Sequence, residues 1–329
     1  MRPFAYERAT SPEAALAAFN DERATAFLAG GTTLIDLMKL DVMRPERVVD
    51  ISGLGADGIE IGDGRVRLGA SVRMADAETH PDLRRRVPML TDSLALAAST
   101  QIRHMASLGG NVLQRTRCPY FRDVSWAACN KRNPGSGCAA LDGFNRSHAV
   151  LGTSDACIAT YPGDFGQALI AMDAIVEVVG SDGRRQVPFA DLHVPPGRTP
   201  HVETTLRPDD LILGFEMPVE PWHRRSLYLK IRDRKSYEFA LASAAVALDL
   251  DGSTVRQARI ALGGLATAPW RAREAEQALV GRTLDEASCQ LAAEVALADA
   301  HKYRHNAFKV ELGRQAIVRA LLQAAAMEV

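Results

Sequence analysis

No window of the 329-residue chain offers about 18 uninterrupted apolar residues, so no membrane-spanning helix is expected. The N-terminus, MRPFAYERATSPEAALAAF, has neither an apolar signal core nor a twin arginine, which makes the cytoplasm the default expectation. Charge of one sign is missing too. With 39 basic and 40 acidic residues the net charge is -1, and nothing in that balance supports nucleic-acid binding. The short basic runs Arg84 to Arg86 and Arg232 to Lys235 read as solvated faces. There is no G-x-G-x-x-G, so a Rossmann site is not supported, and no H-E-x-x-H. His104, His148 and His193 show no metal spacing, no Ser-His-Asp arrangement can be argued, and none of them is given a role. Internal repeats are absent. What is present, 47% hydrophobic and 24% charged residues, is the profile of a globular protein with ample core and two or three domains.

The pattern of elements begins β-α-β. Residues 11–19 predict a helix capped by Ser11 with Pro12 in its first turn, 24–31 a short strand ending in two glycines, and 32–40 a helix. Strands are predicted at 44–52, 65–72, 174–180, 185–192, 211–218, 226–232 and 239–250, and helices dominate from Trp270 to the end. The proline- and charge-rich PVEPWHRR (218–225) predicts the boundary between a larger α+β region and a smaller C-terminal one.

Two paired-glycine segments carry binding chemistry. In FLAGGTTLIDLMK, Gly30 and Gly31 let the backbone bring several N–H groups together, and the following helix aims its positive dipole end at the same spot, an arrangement that suits a phosphate. Thr32 and Thr33 are placed to cap that helix or to donate hydroxyls to phosphate oxygens; no P-loop lysine follows, so nucleotide hydrolysis is not indicated. A tight strand-to-helix turn explains the segment equally well. HMASLGGNVLQRT repeats the device, with Gly109 and Gly110 beside Ser107 and Asn111, and two such loops suit a dinucleotide.

Cysteine is used sparingly and unevenly. Of five, Cys118, Cys129, Cys138 and Cys157 fall within 40 residues, in polar, irregular chain that core burial explains poorly. Cys289, inside a helical pattern, reads as a small buried hydrophobe. Two disulfides are possible, although the chain is too large to need staples. Structural zinc usually draws on close C-x2-4-C pairs, whereas the gaps here are ten, eight and eighteen residues. A cubane 4Fe-4S cluster takes four thiolates spread along a loop, but this is not a common ferredoxin spacing, and spacing alone leaves the choice open.

Four motifs in order, AGGTTLIDLMK, QIRHMASLGGNV, YPGDFGQALIAMDAIVEVV and YLKIRDRKSYEFALASAAVAL, resemble those of the FAD-binding subunit of the xanthine dehydrogenase and molybdenum hydroxylase family, over nearly the whole chain. The resemblance implies an α+β fold: a two-lobed FAD-binding domain of the vanillyl-alcohol oxidase (PCMH) type, followed by a smaller α/β C-terminal domain of the CO dehydrogenase flavoprotein type that covers the flavin. The expected bounds are 1–220, in lobes of about 1–55 and 56–220, and 221–329. Leu28, Ala29, Gly30, Gly31, Thr32, Thr33 and Leu34 would carry the FAD pyrophosphate, and Ser107, Leu108, Gly109, Gly110 and Asn111 would line the other side. Asp164 would hydrogen-bond sugar or ribityl hydroxyls, and Lys230 would sit near the isoalloxazine ring. For Asp164 alone a helix N-cap, and for Lys230 alone an exposed strand lysine, remain the simpler readings.

One departure explains the cysteines. Family members usually pass almost directly from the diglycine-Asn loop to the segment matching PGD, yet Asn111 and Asp164 are 53 positions apart here, and loops beyond about 12–15 residues are uncommon unless functional. The insertion, about 114–160, holds all four clustered cysteines. It resembles the added loop in the flavin subunits of 4-hydroxybenzoyl-CoA reductase and of bacterial molybdenum-dependent aldehyde oxidases, the latter more closely, where the loop holds a 4Fe-4S cluster. The implied function is electron transfer in a heterotrimer: a molybdenum-cofactor subunit oxidises an aldehyde, a 2Fe-2S subunit relays electrons, and this chain collects them on FAD. Alternatives are the flavin subunit of an aromatic acyl-CoA reductase or xanthine dehydrogenase-like complex, a self-contained flavin oxidase, and a scaffold with a zinc-tied loop. Periplasmic export as a passenger on a partner is the alternative to the cytoplasm.

Overall fold

The computed structural model describes residues 1–19, 24–62 and 64–329. Its first unit is a three-stranded parallel sheet, order β1-β3-β2, formed by β1 (Ala5–Arg8), β2 (Thr25–Leu28) and β3 (Arg47–Asp50), with α1 (Pro12–Ala18) and α2 (Leu34–Lys39) as crossovers. Ser11 caps α1, its Oγ accepting from Ala14 N at 3.1 Å, as a Ser-Pro start requires.

The second unit is an antiparallel sheet of order β4-β5-β8-β6-β7: β4 (Ile59–Gly62), β5 (Arg65–Gly69), β6 (Ile175–Gly180), β7 (Gly183–Pro188) and β8 (Leu211–Pro218). Between β5 and β6 run short helices: α3 (Met74–Thr79), α4 (Pro81–Arg86), α5 (Pro88–Ala95), α6 (Thr100–Met105), α7 (Leu108–Val112), α8 (Pro119–Arg122) and α9 (Phe165–Ala171). Phe165, Phe215, Phe189, Leu68 and Met89 are fully buried between this sheet and α5 and α9.

The third unit is an antiparallel sheet of order β12-β11-β10-β9, made of β9 (Ser226–Ile231), β10 (Ala242–Asp251), β11 (Thr254–Gly263) and β12 (Trp270–Arg271). Side chains of a strand alternate between faces, and this sheet buries both. Val246, Leu248, Ile260 and Leu262 pack on α10 (Arg273–Leu279), α11 (Glu286–Ala296) and α12 (Phe308–Ala325), together with Cys289. Tyr228, Ala245, Ala247 and Ala261 face the core of the second unit instead. Among the described residues no helix is long and apolar enough to cross a membrane.

The segment joining the second and third units carries a buried titratable side chain. His223 is 3% exposed, its Nδ1 accepts from Glu220 N at 2.9 Å, and burial pushes its pKa down to about 4. The unfolded chain titrates near 6.5, so between those values the unfolded state binds the extra proton, and stability is complete above that window and lost as pH falls through it. The melting temperature of the wild type is expected to fall several degrees more between pH 7 and pH 4 than that of His223→Gln, roughly 2 kcal/mol of difference. Parallel curves in thermal melts would remove His223 from the acid sensitivity of the fold.

Candidate functional site

The two paired-glycine turns meet. β2 ends at Leu28, and the chain turns through Ala29, Gly30 and Gly31, the last at φ +74°, into α2. A Cβ on Gly30 would lie 2.2 Å from Met105 O and 2.8 Å from Ala106 Cα, and one on Gly110 would lie 4.0 Å from Ala29 Cβ. Gly30 therefore lets the first turn lie directly on the backbone that leads into α7. That second turn is fixed from its own side: Leu108 N donates to Val72 O and Gly109 N to Ala70 O, both at 2.9 Å, and Ser107 Oγ accepts from Gly110 N at 3.3 Å.

Beside the junction opens a cavity of about 490 Å³. Of the residues singled out in the sequence, Thr32, Thr33, Asn111 and Asp164 line it. Thr33 occupies the N-cap position of α2 but makes no side-chain cap bond, so capping does not consume its hydroxyl. Asn111 donates from Nδ2 to Met74 Sδ at 3.3 Å, while its Oδ1 is buried with no partner. A buried carbonyl acceptor without a partner is costly unless another group completes it. Leu108, by contrast, is wholly buried in the core, and Ser107 is engaged in its cap.

Asp164 and Lys230 differ from their simpler readings. Asp164 stands at the N-cap position of α9 without a cap bond. Its Oδ2 accepts from Lys230 Nζ at 2.7 Å and its Oδ1 from Tyr228 Oη at 2.7 Å. Lys230 is no exposed strand lysine: its side chain is 1% exposed, behind the cavity wall, and it also donates to Leu96 O at 3.0 Å.

Several lining residues carry no sequence signal. Arg122 donates to both oxygens of Asp36, at 2.7 and 3.1 Å, and Arg117 adds a bond at 3.1 Å. The Arg122 guanidinium holds the Asp36 carboxyl below its usual range, and burial depresses the Arg117 pKa. From the loop between β9 and β10, Arg234, Tyr237 and Phe239 close the mouth, with Arg117 stacked over Phe239 at 5.0 Å. A half-apolar cavity with three arginines and three carboxylates on its wall, flanked by two close-approach turns, fits a flavin dinucleotide: anionic in its middle, planar at its ends.

The four clustered cysteines converge as well. Cys118, Cys129, Cys138 and Cys157 line a single small enclosed void, and all are free thiols. Cys129 and Cys138 pair as an antiparallel bridge, and Asn130 pins the loop by donating to Ala156 O at 3.0 Å and accepting from Gly137 N at 2.8 Å. Arg132 donates to Tyr120 O and Phe121 O at 2.8 and 2.7 Å. Ala159 N donates to Cys157 Sγ at 3.5 Å, and His148 Nε2 lies 3.1 Å from Cys118 Sγ. Burial pushes the Cys118 thiol up to about 12 and that of Cys157 to about 11. Among the described residues no three His, Cys, Asp or Glu side chains are close enough to share one ion. Four soft sulfur donors around one void are the donor set that a polynuclear iron-sulfur group takes. Cys118 also lines a second cavity whose wall includes Arg117, Pro162, Glu238 and Phe239, four residues shared with the first.

A two-lobed α+β region with paired-glycine turns at a cavity, closed by an antiparallel sheet backed by helices, defines a flavin-binding component of the molybdenum hydroxylases. Residues 2–220 match the family described as the FAD binding domain in molybdopterin dehydrogenase, residues 227–324 match the CO dehydrogenase flavoprotein C-terminal domain, and the chain belongs to this family. The aldehyde oxidoreductase FAD-binding subunit PaoB of Escherichia coli strain K12 is 45% identical over 329 residues, 99% of each chain. The carbon monoxide dehydrogenase medium chain of Afipia carboxidovorans is 28% identical over 274 residues, 83% of this chain and 77% of that one. A solved carbon monoxide dehydrogenase from Hydrogenophaga pseudoflava superposes with a TM-score of 0.76 at 25% identity, covering 99% of this chain and 98% of that one.

Proposed function

We propose that this chain is the FAD and 4Fe-4S electron-transfer subunit of a heterotrimeric molybdenum hydroxylase that oxidises an aldehyde. Full-length identity to an aldehyde oxidoreductase FAD-binding subunit supports the substrate class. The observation that carries the rest is the pairing of the cavity at the two glycine turns with a four-cysteine void one residue away, Arg117 on the first and Cys118 on the second. The FAD-binding domain spans 1–220, in lobes of about 1–55 and 56–220, and residues 221–329 cover the flavin.

In this reading Ala29 to Leu34, with Leu28 leading in, hold the pyrophosphate through backbone amides and the hydroxyls of Thr32 and Thr33. Asn111 Oδ1 and the free lone pairs of Asp164 accept from the cofactor's donors, and Gly109 and Gly110 keep that wall low. Lys230 supplies positive charge behind the ring. FAD, when bound, takes electrons singly and passes them on in pairs. Cys118, Cys129, Cys138 and Cys157 hold the cluster, whose chemistry is one-electron storage; Cys129 and Cys157 are buried, and the Ala159 amide donates to Cys157 Sγ and restrains that sulfur. The molybdenum cofactor and 2Fe-2S clusters belong to the partner subunits.

Anaerobic purification of the assembled complex, followed by flavin, iron and zinc assays on this chain after its separation, tests the reading. About one FAD and four irons per chain are expected. One zinc with no iron would select a tied loop, and aldehyde turnover by the isolated chain would select a self-contained oxidase.

A further inference from the structure

Behind the cavity lies a buried pair, Tyr228 and Ser243, that the flavin reading does not use. Tyr228, 4% exposed, has its hydroxyl 2.7 Å from Asp164 Oδ1 and 2.7 Å from Ser243 Oγ, and Ser243 is wholly buried. Tyr228 and Lys230 are two apart on β9, and Ser243 sits opposite Lys230 across the β9–β10 ladder, so all three side chains project from one face of the C-terminal sheet. Asp164 opens α9, in the other domain. A phenol has one proton, and an ionised carboxylate only accepts, so that proton goes to Asp164 and the Ser243 hydroxyl donates to Tyr228. The order is Ser243 to Tyr228 to Asp164, with Lys230 on the second oxygen. Gly263 makes room: a Cβ there would lie 2.4 Å from Ser243 Oγ.

We propose that Tyr228, braced by Ser243, is a positioning residue for Asp164, so that flavin uptake depends on the C-terminal sheet being docked against the FAD-binding domain. Lys230 alone fixes one oxygen and leaves the carboxylate free to swing about that bond. The second donor, approaching from a rigid strand, fixes the carboxylate plane. The unused lone pairs of Asp164 then face the cavity, which Asp164 lines. Neither Tyr228 nor Ser243 is among the cavity's lining residues, so both act through Asp164.

The inference rests on the flavin reading and is tested apart from it. The full-length chain, stripped of flavin, is titrated with FAD by fluorescence quenching, and the melting temperature of the flavin-free protein is measured alongside. Tyr228→Phe keeps the ring and removes the donor. It is expected to raise the FAD dissociation constant about tenfold, which converts to ~1.4 kcal/mol, and Ser243→Ala is expected to raise it about threefold. A merely structural hydroxyl lowers the melting temperature of the flavin-free protein and leaves the dissociation constant at the wild-type value, and that result overturns the proposal. Should Tyr228→Phe fail to fold, unchanged affinity in Ser243→Ala overturns it equally. Wild-type protein that takes up no FAD overturns both readings, whereas wild-type binding matched by both variants overturns this one alone.

Discussion

Replacing Gly30 by alanine is expected to leave the protein without flavin. The added methyl would stand 2.2 Å from Met105 O, far inside any real contact, and the neighbour is backbone that cannot rotate away. That carbonyl is further held by the Arg73 guanidinium, and the next residues are tied into α7 by the Ser107 cap. Relief therefore has to come from parting the two turns, which opens the wall that the pyrophosphate requires. An overpacked, unyielding site costs about 3 kcal/mol or more, equivalent to a loss of affinity of at least about a hundredfold. Gly31→Ala provides the scale. Its Cβ would meet only Ile35 and Leu28 side-chain carbons at 3.3 Å, and the main cost is a left-handed φ of +74°, about 1 kcal/mol. Flavin content after purification should rank wild type, then Gly31→Ala, then Gly30→Ala; full flavin in Gly30→Ala would disprove the close-approach argument.

Cys118→Ser is expected to take iron from about four atoms per chain to less than one, because a hard hydroxyl seldom replaces a thiolate on iron. Equivalent losses are expected for Cys129, Cys138 and Cys157, which line the same void. The four should differ in their effect on flavin. Cys118 adjoins Arg117, which ties the insertion to Asp36 of α2 and stacks on Phe239 at the mouth of the flavin cavity. Cys138 touches neither flavin-side cavity. Flavin occupancy should therefore fall in Cys118→Ser and hold in Cys138→Ser, read from the visible spectrum after both have lost iron. Iron retained through all four replacements would mean that the cysteines are not the ligands.

Much of the architecture is legible in the residues because local chemistry and burial agree. Ser11-Pro12 opens α1, LILGFEMP is β8 from end to end, and the apolar stripe of residues 308–326 is α12. The strand β11 carries no such legibility: it pairs with β10 through a register shift at Asp249/Leu250, which moves Val255 and Ala258 out of simple alternation. β1 buries none of its four residues and so has no apolar face to betray it. The helices α3 to α7 are each five to eight residues long, too short for a helical period to stand out, and they owe their form to caps such as Ser99 and Ser107. In the site, the glycines and cysteines announce themselves by residue type. Tyr228, Arg117 and Arg122 do not, since their meaning lies in carboxylates 64, 81 and 86 positions away.

The insertion is also bound to the far end of the chain. Lys309, on the first turn of α12, is wholly buried and gives its ammonium hydrogens to three carbonyl oxygens, those of Ser147 and His148 at 3.2 and 2.9 Å and that of Gly264. Two of these acceptors belong to the cysteine-bearing segment. An ammonium with three donors is satisfied there in the way a carbonyl cage satisfies a desolvated alkali ion. The loop is thus no detachable cassette: excising it would leave the Lys309 amine, buried beneath the C-terminal helix, without two of its three carbonyl acceptors.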